Sequence, residues 1–462
     1  MIRLFRVFIP TSVVALLISE IVLVFACFVL ATYVVLEVGP DVMLLYEGGL
    51  GNIAIVAASV ILGLYFNDLY TELRVRSRIA LTQQLCLVIG AAFLVQALLS
   101  YVNRELMVPH NIMMAGSAFL LLSLPAWRLL YNQTVFKALG GHRLLFVGND
   151  PIVGEIAERV SKHPELGYEV VGSVNDPLDD SQVSASRVLG TIDGLEHVVH
   201  QVKPDRIVIG MTERRRRLPV FELLDLRLAG IPIIPASDLY EIAFGRICTR
   251  ALRPSDLIFA SEIGPSKRTQ LMQSIYSVVL AVIGTTITAP LMMLVAIAVK
   301  LTSRGPLLYR QTRVGLHDRL FTVYKFRSMY AHAEADTGPV WAAENDPRVT
   351  PVGRWLRKLR IDELPQFFNV LRGDMAFVGP RPERPEFVRT LTEQIPYYRL
   401  RHCVKPGITG WAQISYKYAN TFADTITKLE YDLYYIKHLS ASLDMYIIFH
   451  TLKTMLLSRG VN

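Results

Sequence analysis

YSVVLAVIGTTITAPLMMLVAIAVKL, residues Tyr276 to Leu301, is apolar and long enough to cross a bilayer, which takes about 20 residues. Its flanks argue otherwise. Lys267 and Arg268 stand before it and Lys300, Arg304, Arg310 and Arg313 after it. A crossing would carry one basic cluster to the far side, against the tendency of cytoplasmic loops to keep Lys and Arg. Pro290, near the middle, removes one helical hydrogen bond and bends the chain, while Thr285, Thr286 and Thr288 offer hydroxyls to nearby carbonyls. A helix broken at Pro290 that dips into one leaflet and returns to the cytoplasm satisfies both flanks. A fifth true span with an external C-terminal region is the competing reading.

Upstream, four more apolar stretches crowd the first third: roughly Thr11 to Leu36, Gly51 to Phe66, Leu81 to Val102 and Asn111 to Leu130. With about half of the 462 residues hydrophobic and a net charge of +8, the chain reads as a membrane protein rather than a secreted or disordered one. The first stretch is too long for a signal peptide, and no small-residue cleavage site follows it. Arg3 and Arg6 precede the first span, Arg74, Arg76 and Arg78 follow the second, and Arg128, Lys137 and Arg143 mark the exit of the fourth. The other two loops carry only Arg104, which places both the N-terminus and everything after the fourth span in the cytoplasm. Glu20, inside the first span, is either a helix-helix contact or part of a polar pathway. Cys27, Cys86, Cys248 and Cys403 are scattered with no C-x-x-C pair, which argues against a disulfide framework and a zinc site alike.

Between the spans and the hairpin, HRLLFVGNDPIVGEIAERV (His142 to Val160) sets a short apolar strand before a turn and an amphipathic helix that Pro151 can open. YEVVGSV, DRIVIG and IPIIPA read as further strands alternating with helices, giving an α/β unit with a mainly parallel sheet. The turn is a degenerate dinucleotide fingerprint. Gly148 and Gly154 remain, but Asp150 and Pro151 stand where a pyrophosphate needs glycine and a free N–H. The run Arg214 to Arg217 is a solvated loop or a contact for anionic headgroups.

Downstream comes DPRVTPVGRWLRKLRIDELPQ, in which Arg354, Arg357 and Lys358 share one helix face and Trp355, Leu356 and Leu359 lie on others, as in an interfacial helix. Asp362 and Glu363 follow. Neighbouring residues on a helix point about 100° apart, so the two cannot aim at one atom; one can attack while the other reaches a metal. Nearby cations favour the ionised form of both. Lys325, Arg327, Arg357 and Arg381 are candidates to surround a polyphosphate. On charge pattern alone, a surface ion-pair cluster explains the same residues equally well.

From about Lys267 to the C-terminus the chain resembles the bacterial sugar transferase family, the monotopic polyprenyl-phosphate phosphoglycosyl transferases. The resemblance rests on the proline-bearing hydrophobic segment, YRQTRVG, YKFRSM, DELPQFFNVLRGDMAFVGPRP, KPGITGWAQI and YDLYYIKHLSASLDMYI, all in family order. Four spans and a degenerate α/β module ahead of it are similar to the long members, which pass hexose-1-phosphate to undecaprenyl phosphate in exopolysaccharide or O-antigen initiation. The resemblance implies three parts: a four-helix membrane domain (1–135), a Rossmann-like cytoplasmic domain (136–262), and a re-entrant helix with a mostly helical catalytic domain (263–462) on the cytoplasmic side of the inner membrane.

It further implies that Asp362 attacks the sugar-bearing phosphorus of a UDP-sugar and expels UMP, and that polyprenyl phosphate then takes the phosphosugar. Glu363 would hold magnesium, Arg381 would bind phosphate, and Lys325, Arg327, Arg357 and Arg313 would assist. Asp432 and Tyr435 would contact the nucleotide or the wall of the site, and Pro290 would break the re-entrant helix. Membrane lipid is an implied partner, nucleic acid is not, and similarity to the long members admits a homodimer. Glucose, galactose and N-acetylated hexoses all fit these motifs. One departure is Ala289, where many members carry serine before the hairpin proline. An NAD-dependent sugar-nucleotide dehydratase is the first rival, weakened by the damaged glycine turn and the lack of any Tyr-x-x-x-Lys; a non-catalytic export scaffold is another.

Overall fold

Uncharged apolar runs give long helices, and the computed structural model forms them where the hydropathy places them. It describes residues 2–4, 7–70, 78–134, 141–175, 187–211, 218–252, 264–330, 348–416 and 421–456. Helices α1 (Thr11–Val35), α2 (Gly49–Phe66), α3 (Arg78–Val102) and α4 (His110–Gln133) coincide with the four expected stretches. With a later helix, Lys267–Thr302, five helices are long and apolar enough to cross a membrane. Arg74, Arg76, Lys137 and the run Arg214 to Arg217 lie outside the described residues.

The chain divides into two units, one of residues 1–3 and 8–234, the other of 4–7 and 235–462. In the first, Glu20 of α1 is fully buried and takes Arg128 Nε of α4 at 2.6 Å, with Tyr70 donating to its other oxygen at 2.6 Å. Arg128 Nη1 also donates to the Leu69 carbonyl at 3.1 Å. Of the two readings of Glu20, this is the helix-helix contact.

The same unit holds a sheet of five strands: β1 (His142–Val147), β2 (Tyr168–Asn175), β3 (Val188–Thr191), β4 (Arg206–Ile209) and β5 (Ile233–Pro235), in the order β3-β2-β1-β4-β5. The β3-β2, β2-β1 and β1-β4 pairings are parallel, and the order is that of the first five strands of a six-stranded doubly wound dinucleotide-binding sheet. Sequence reading missed β3, a four-residue strand with no apolar run of its own.

The turn after β1 shows how the fingerprint has decayed. Gly148 has φ +98°, and a Cβ there would meet Met211 Cγ at 2.4 Å and the Gly210 carbonyl oxygen at 2.5 Å, so this glycine serves backbone packing. Asp150 then caps α5 (Pro151–Lys162), its Oδ1 accepting from Ile152 N at 3.0 Å. A carboxylate of the chain itself thus sits at the helix N-terminus where a bound phosphate would lie.

The second unit begins with α6 (Ala236–Phe244) and contains the long helix α7 (Lys267–Thr302). Helical hydrogen bonding in α7 continues past Pro290, so the backbone is not interrupted there as the sequence led us to expect. Thr286 and Thr288 donate to the carbonyls of Val282 and Gly284 at 2.9 and 2.7 Å, the back-bonds that the threonines of this segment were expected to offer. One stripe of α7 is buried in two stretches, Gln273 to Ala281 and Val295 to Val299. Gln273 donates to the Val378 carbonyl at 3.1 Å, Ser277 Oγ accepts from Phe377 N at 3.1 Å, Ala281 packs with Phe367 and Met375, and Val295 and Val299 pack with Phe326 and Leu356.

Around α7 stand an antiparallel hairpin, β6 (Leu308–Val314) with β7 (Leu320–Phe326), helices α8 (Pro351–Lys358) and α9 (Gln366–Arg372), a parallel pair β8 (Ala376–Val378) and β9 (Gly407–Thr409), and helices α10 (Phe422–His438) and α11 (Ala441–Leu456).

Candidate active site

Thr350 caps α8, its hydroxyl accepting from Gly353 N at 2.9 Å, and Pro351 opens the helix with the φ it already has. Gly353 packs so tightly that a Cβ would lie 1.9 Å from the Ser328 carbonyl oxygen, which fixes α8 against the end of β7. The helix stops at Lys358. Arg360 takes a left-handed conformation at φ 52°, and a single 3-10 turn, Ile361–Glu363, carries the two acids before Pro365 starts the next helix. The expected α-helical spacing is therefore replaced by a tighter turn.

Both carboxylates are buried, Asp362 at 8% exposure and Glu363 at 9%. Glu363 Oε1 accepts from Lys325 Nζ of β7 at 2.7 Å and from Arg381 Nη2 at 2.8 Å, while Arg360 Nη1 stands 3.8 Å from Oε2. Among the described residues, no hydrogen bond or ion pair reaches Asp362. The two neighbours have opposite electrostatic fates. Burial, then the Glu363 charge, pushes Asp362 up to about 6, with Lys325, Arg357 and Arg381 pulling it back. Burial would raise Glu363 too, but Arg381 and Lys325 outweigh it and hold that carboxyl well below its usual range. Burial also lowers Lys325, against the pull of Glu363. The expectation from sequence, that surrounding cations favour the ionised form of both acids, holds with a wide margin for Glu363 and a narrow one for Asp362, which ionises only as the pH passes about 6.

The other expected residues fall into two groups. Lys325 and Arg381 meet at Glu363, and Arg357, within electrostatic reach of Asp362, donates from Nε to Ser328 Oγ at 2.9 Å. Arg327 turns instead to the end of α7, its Nη2 donating to the Ser303 carbonyl and hydroxyl at 2.7 and 2.8 Å, a cation at a helix C-terminus. Arg313 donates to the Pro382 carbonyl at 2.9 Å and so braces the loop of Arg381.

Asp432 and Tyr435 lie inside the fold, behind that loop. Asp432 pairs with Arg401 at 2.8 Å, and Tyr435 is fully buried with its hydroxyl 3.1 Å from the Val378 carbonyl. Pro290 lies on α7 as described. Sequence reading missed Arg401, whose Nη2 also donates to the Arg381 carbonyl at 2.9 Å; no local pattern joins residues 31 positions apart.

Among the described residues no three His, Cys, Asp or Glu side chains cluster as a metal cage. Asp362 and Glu363 supply only hard oxygens, and Glu363 Oε2 has just the distant Arg360. That donor set fits magnesium, which keeps several waters and takes one or two carboxylates plus substrate phosphate oxygens.

Comparison with known proteins bears on the family. A family model described as bacterial sugar transferase matches residues 268–458. A protein of Aeromonas hydrophila named UDP-N-acetylgalactosamine-undecaprenyl-phosphate N-acetylgalactosaminephosphotransferase is 44% identical over 233 residues, 50% of this chain and 54% of that protein. The undecaprenyl-phosphate glucose phosphotransferase of Komagataeibacter xylinus is 35% identical over 340 residues, 72% of this chain and 62% of its own length. The UDP-glucose:undecaprenyl-phosphate glucose-1-phosphate transferase of Escherichia coli K12 is 34% identical over 319 residues, 67% of each chain. The matches thus span between about half and two thirds of these relatives.

Proposed function

The chain belongs to the bacterial sugar transferase family, and on that premise we propose that it moves a sugar-1-phosphate from a UDP-sugar to polyprenyl phosphate, undecaprenyl phosphate by analogy with the relatives' names. The observation that carries the reading is the division of labour between the adjacent acids. Glu363 is clamped by two cations, and Asp362 is buried, unbonded among the described residues and raised to about 6, so that it is ionised at pH 7 yet more basic than an ordinary carboxylate, as suits a nucleophile.

An Asp362 carboxylate oxygen attacks the phosphorus that bears the sugar. The bond from that phosphorus to the bridging oxygen breaks, and UMP leaves with the electron pair. A phosphate oxygen of the lipid then attacks the same phosphorus, and the bond to Asp362 breaks to return the carboxylate and give a polyprenyl diphosphosugar. Lys325 and Arg381 hold anionic oxygens in place, the main task of a protein in phosphoryl transfer. Glu363 would hold magnesium through Oε2, where the ion neutralises charge on the diphosphate.

The reaction takes place at the cytoplasmic face of the inner membrane, as the first step of exopolysaccharide or O-antigen synthesis. We place α7 in one leaflet, with both ends on the side of the catalytic unit. The basic flanks support this, Lys267 and Arg268 before the apolar run and Lys300 and Arg304 after it, since a crossing would carry one cluster to the far side. Radiolabelled UDP-sugar given to detergent-solubilised protein without lipid acceptor tests the proposal: label should stay on the wild type and be absent from Asp362→Asn. Equal labelling of the variant would overturn the nucleophile.

A further inference from the structure

Helix α10 anchors the loop that presents Arg381 at two points on one side. Asp432 holds Arg401, which donates to the Arg381 carbonyl, and Tyr435, nearly one turn on, sits at the Val378 carbonyl. The opposite side of α10 is gripped by residues that precede the family-matched region. Glu430, two positions from Asp432 and so about 200° away around the helix, is 4% exposed. Its Oε1 accepts from Thr249 N at 3.0 Å and from Thr249 Oγ1 at 3.1 Å, and Arg246 Nε lies 3.4 Å from Oε2.

The Arg246 guanidinium also covers the rings of Tyr240, Phe244 and Tyr431 at 5.2 to 5.9 Å. Further along the same side, Glu241 of α6 accepts from Lys437 at 2.7 Å and bonds His438. The Trp411 indole donates to the Gly245 carbonyl at 2.8 Å and stacks on Tyr434 of α10. Buried carboxylates are tolerated only where partners meet them in fixed geometry, so α10 has one seat against residues 236–252. Whatever loosens that seat loosens both anchors of the Arg381 loop.

We propose that Glu430, Arg246 and Thr249 are positioning residues for Arg381. They hold α10 where Asp432, Arg401 and Tyr435 fix the 378–384 loop, so the catalytic unit of this chain extends upstream of residue 268. The inference rests on the proposed function only in taking Arg381 as a phosphate-binding group.

Hydrogen exchange of the full-length protein, read at the amides of Gly379, Arg381, Glu383 and Arg384, tests it. Exchange there should be about tenfold faster in Glu430→Ala and near wild type in Glu430→Gln, which still offers an oxygen to Thr249. In transfer assays Glu430→Ala should lose about tenfold in kcat/KM for the UDP-sugar, mostly through a higher KM, and adding Arg401→Lys should cost little more. If Glu430→Ala fails to fold, Thr249→Val, which removes one donor, should show the same exchange in smaller measure. Unchanged exchange in the loop, or fully additive losses in the double variant, overturns the proposal. If the wild type transfers no phosphosugar, the functional reading fails while the exchange result still decides this one.

Discussion

Arg381 Nη2 donates to Glu363 Oε1 over 2.8 Å, and the Lys325 ammonium reaches the same oxygen at 2.7 Å, so one carboxylate oxygen joins a loop and a strand that are far apart in sequence. Glu363→Gln keeps an acceptor but removes the charge that the half-buried Lys325 and the more exposed Arg381 face. Solvent screens Arg381, so the cost should fall below the roughly 3–5 kcal/mol of a fully buried pair, and a lower melting temperature in detergent should report it. Turnover should vanish and the magnesium titration should shift, whereas Asp362→Asn should abolish turnover and leave magnesium affinity nearly unchanged. An unaltered magnesium titration in Glu363→Gln would remove the metal role.

The raised Asp362 carboxyl has consequences in both kinetics and stability. With a value of about 6, its nucleophilic form is lost as pH falls through 6, so the rate of label capture should rise with pH and level off above about 7. The sign for stability is the reverse. A carboxyl that binds its proton more tightly when folded stabilises the fold in acid, and that contribution is lost as pH rises through 6. Asp362→Asn removes the penalty and should stabilise the protein at pH 7.5 by up to about 3 kcal/mol, with a gain that shrinks below pH 6 and disappears near pH 4. A variant no more stable than wild type at any pH would show that burial does not raise the Asp362 carboxyl.

Basic residues at both ends of α7, Lys267 and Arg268 before it and Lys300 and Arg304 after its apolar run, make a topological prediction. Cysteines placed at Ser266 and at Ser303 should both resist an impermeant thiol reagent applied outside intact cells and both react after permeabilisation. Labelling of either one from outside would restore the fifth span.

The four N-terminal helices and most of the sheet were legible because hydropathy and alternation are local properties. The acid pair was legible as a chemical oddity among arginines. Its asymmetry was not, since Lys325 and Arg381 meet Glu363 from 38 and 18 residues away, and no pattern in the sequence says which acid they choose. Arg327 was marked by charge and motif for phosphate, and sequence could not show that its Nη2 would bind the Ser303 carbonyl while Nε and Nη1 make no hydrogen bond among the described residues. Pro290 was read for its missing N–H, yet the helix continues past it, because one lost hydrogen bond does not outweigh those that a 36-residue helix retains.

Asp150 occupies the N-terminus of α5, so added NAD should bring no thermal shift, and Asp150→Ala should cost about 1 kcal/mol as a lost cap. Phosphosugar transfer per folded molecule should stay within twofold of wild type. A large loss of transfer, or saturable NAD binding by the wild type, would give the sheet domain a ligand.

Glu20 and Arg128 make a two-residue lock inside the N-terminal bundle, with Tyr70 and the Leu69 carbonyl completing it. Arg128→Met strands a carboxylate that is fully buried, and should cost about 3–5 kcal/mol in detergent melts. Glu20→Met strands the guanidinium, though Arg128 keeps the Leu69 carbonyl, so its cost should be smaller. The double variant replaces both charges by apolar side chains of similar length and should recover most of the stability, because the single losses come largely from the stranded partner rather than from the pair itself. A double variant as unstable as the sum of the two would show instead that the ion pair contributes directly to the packing of α1 on α4.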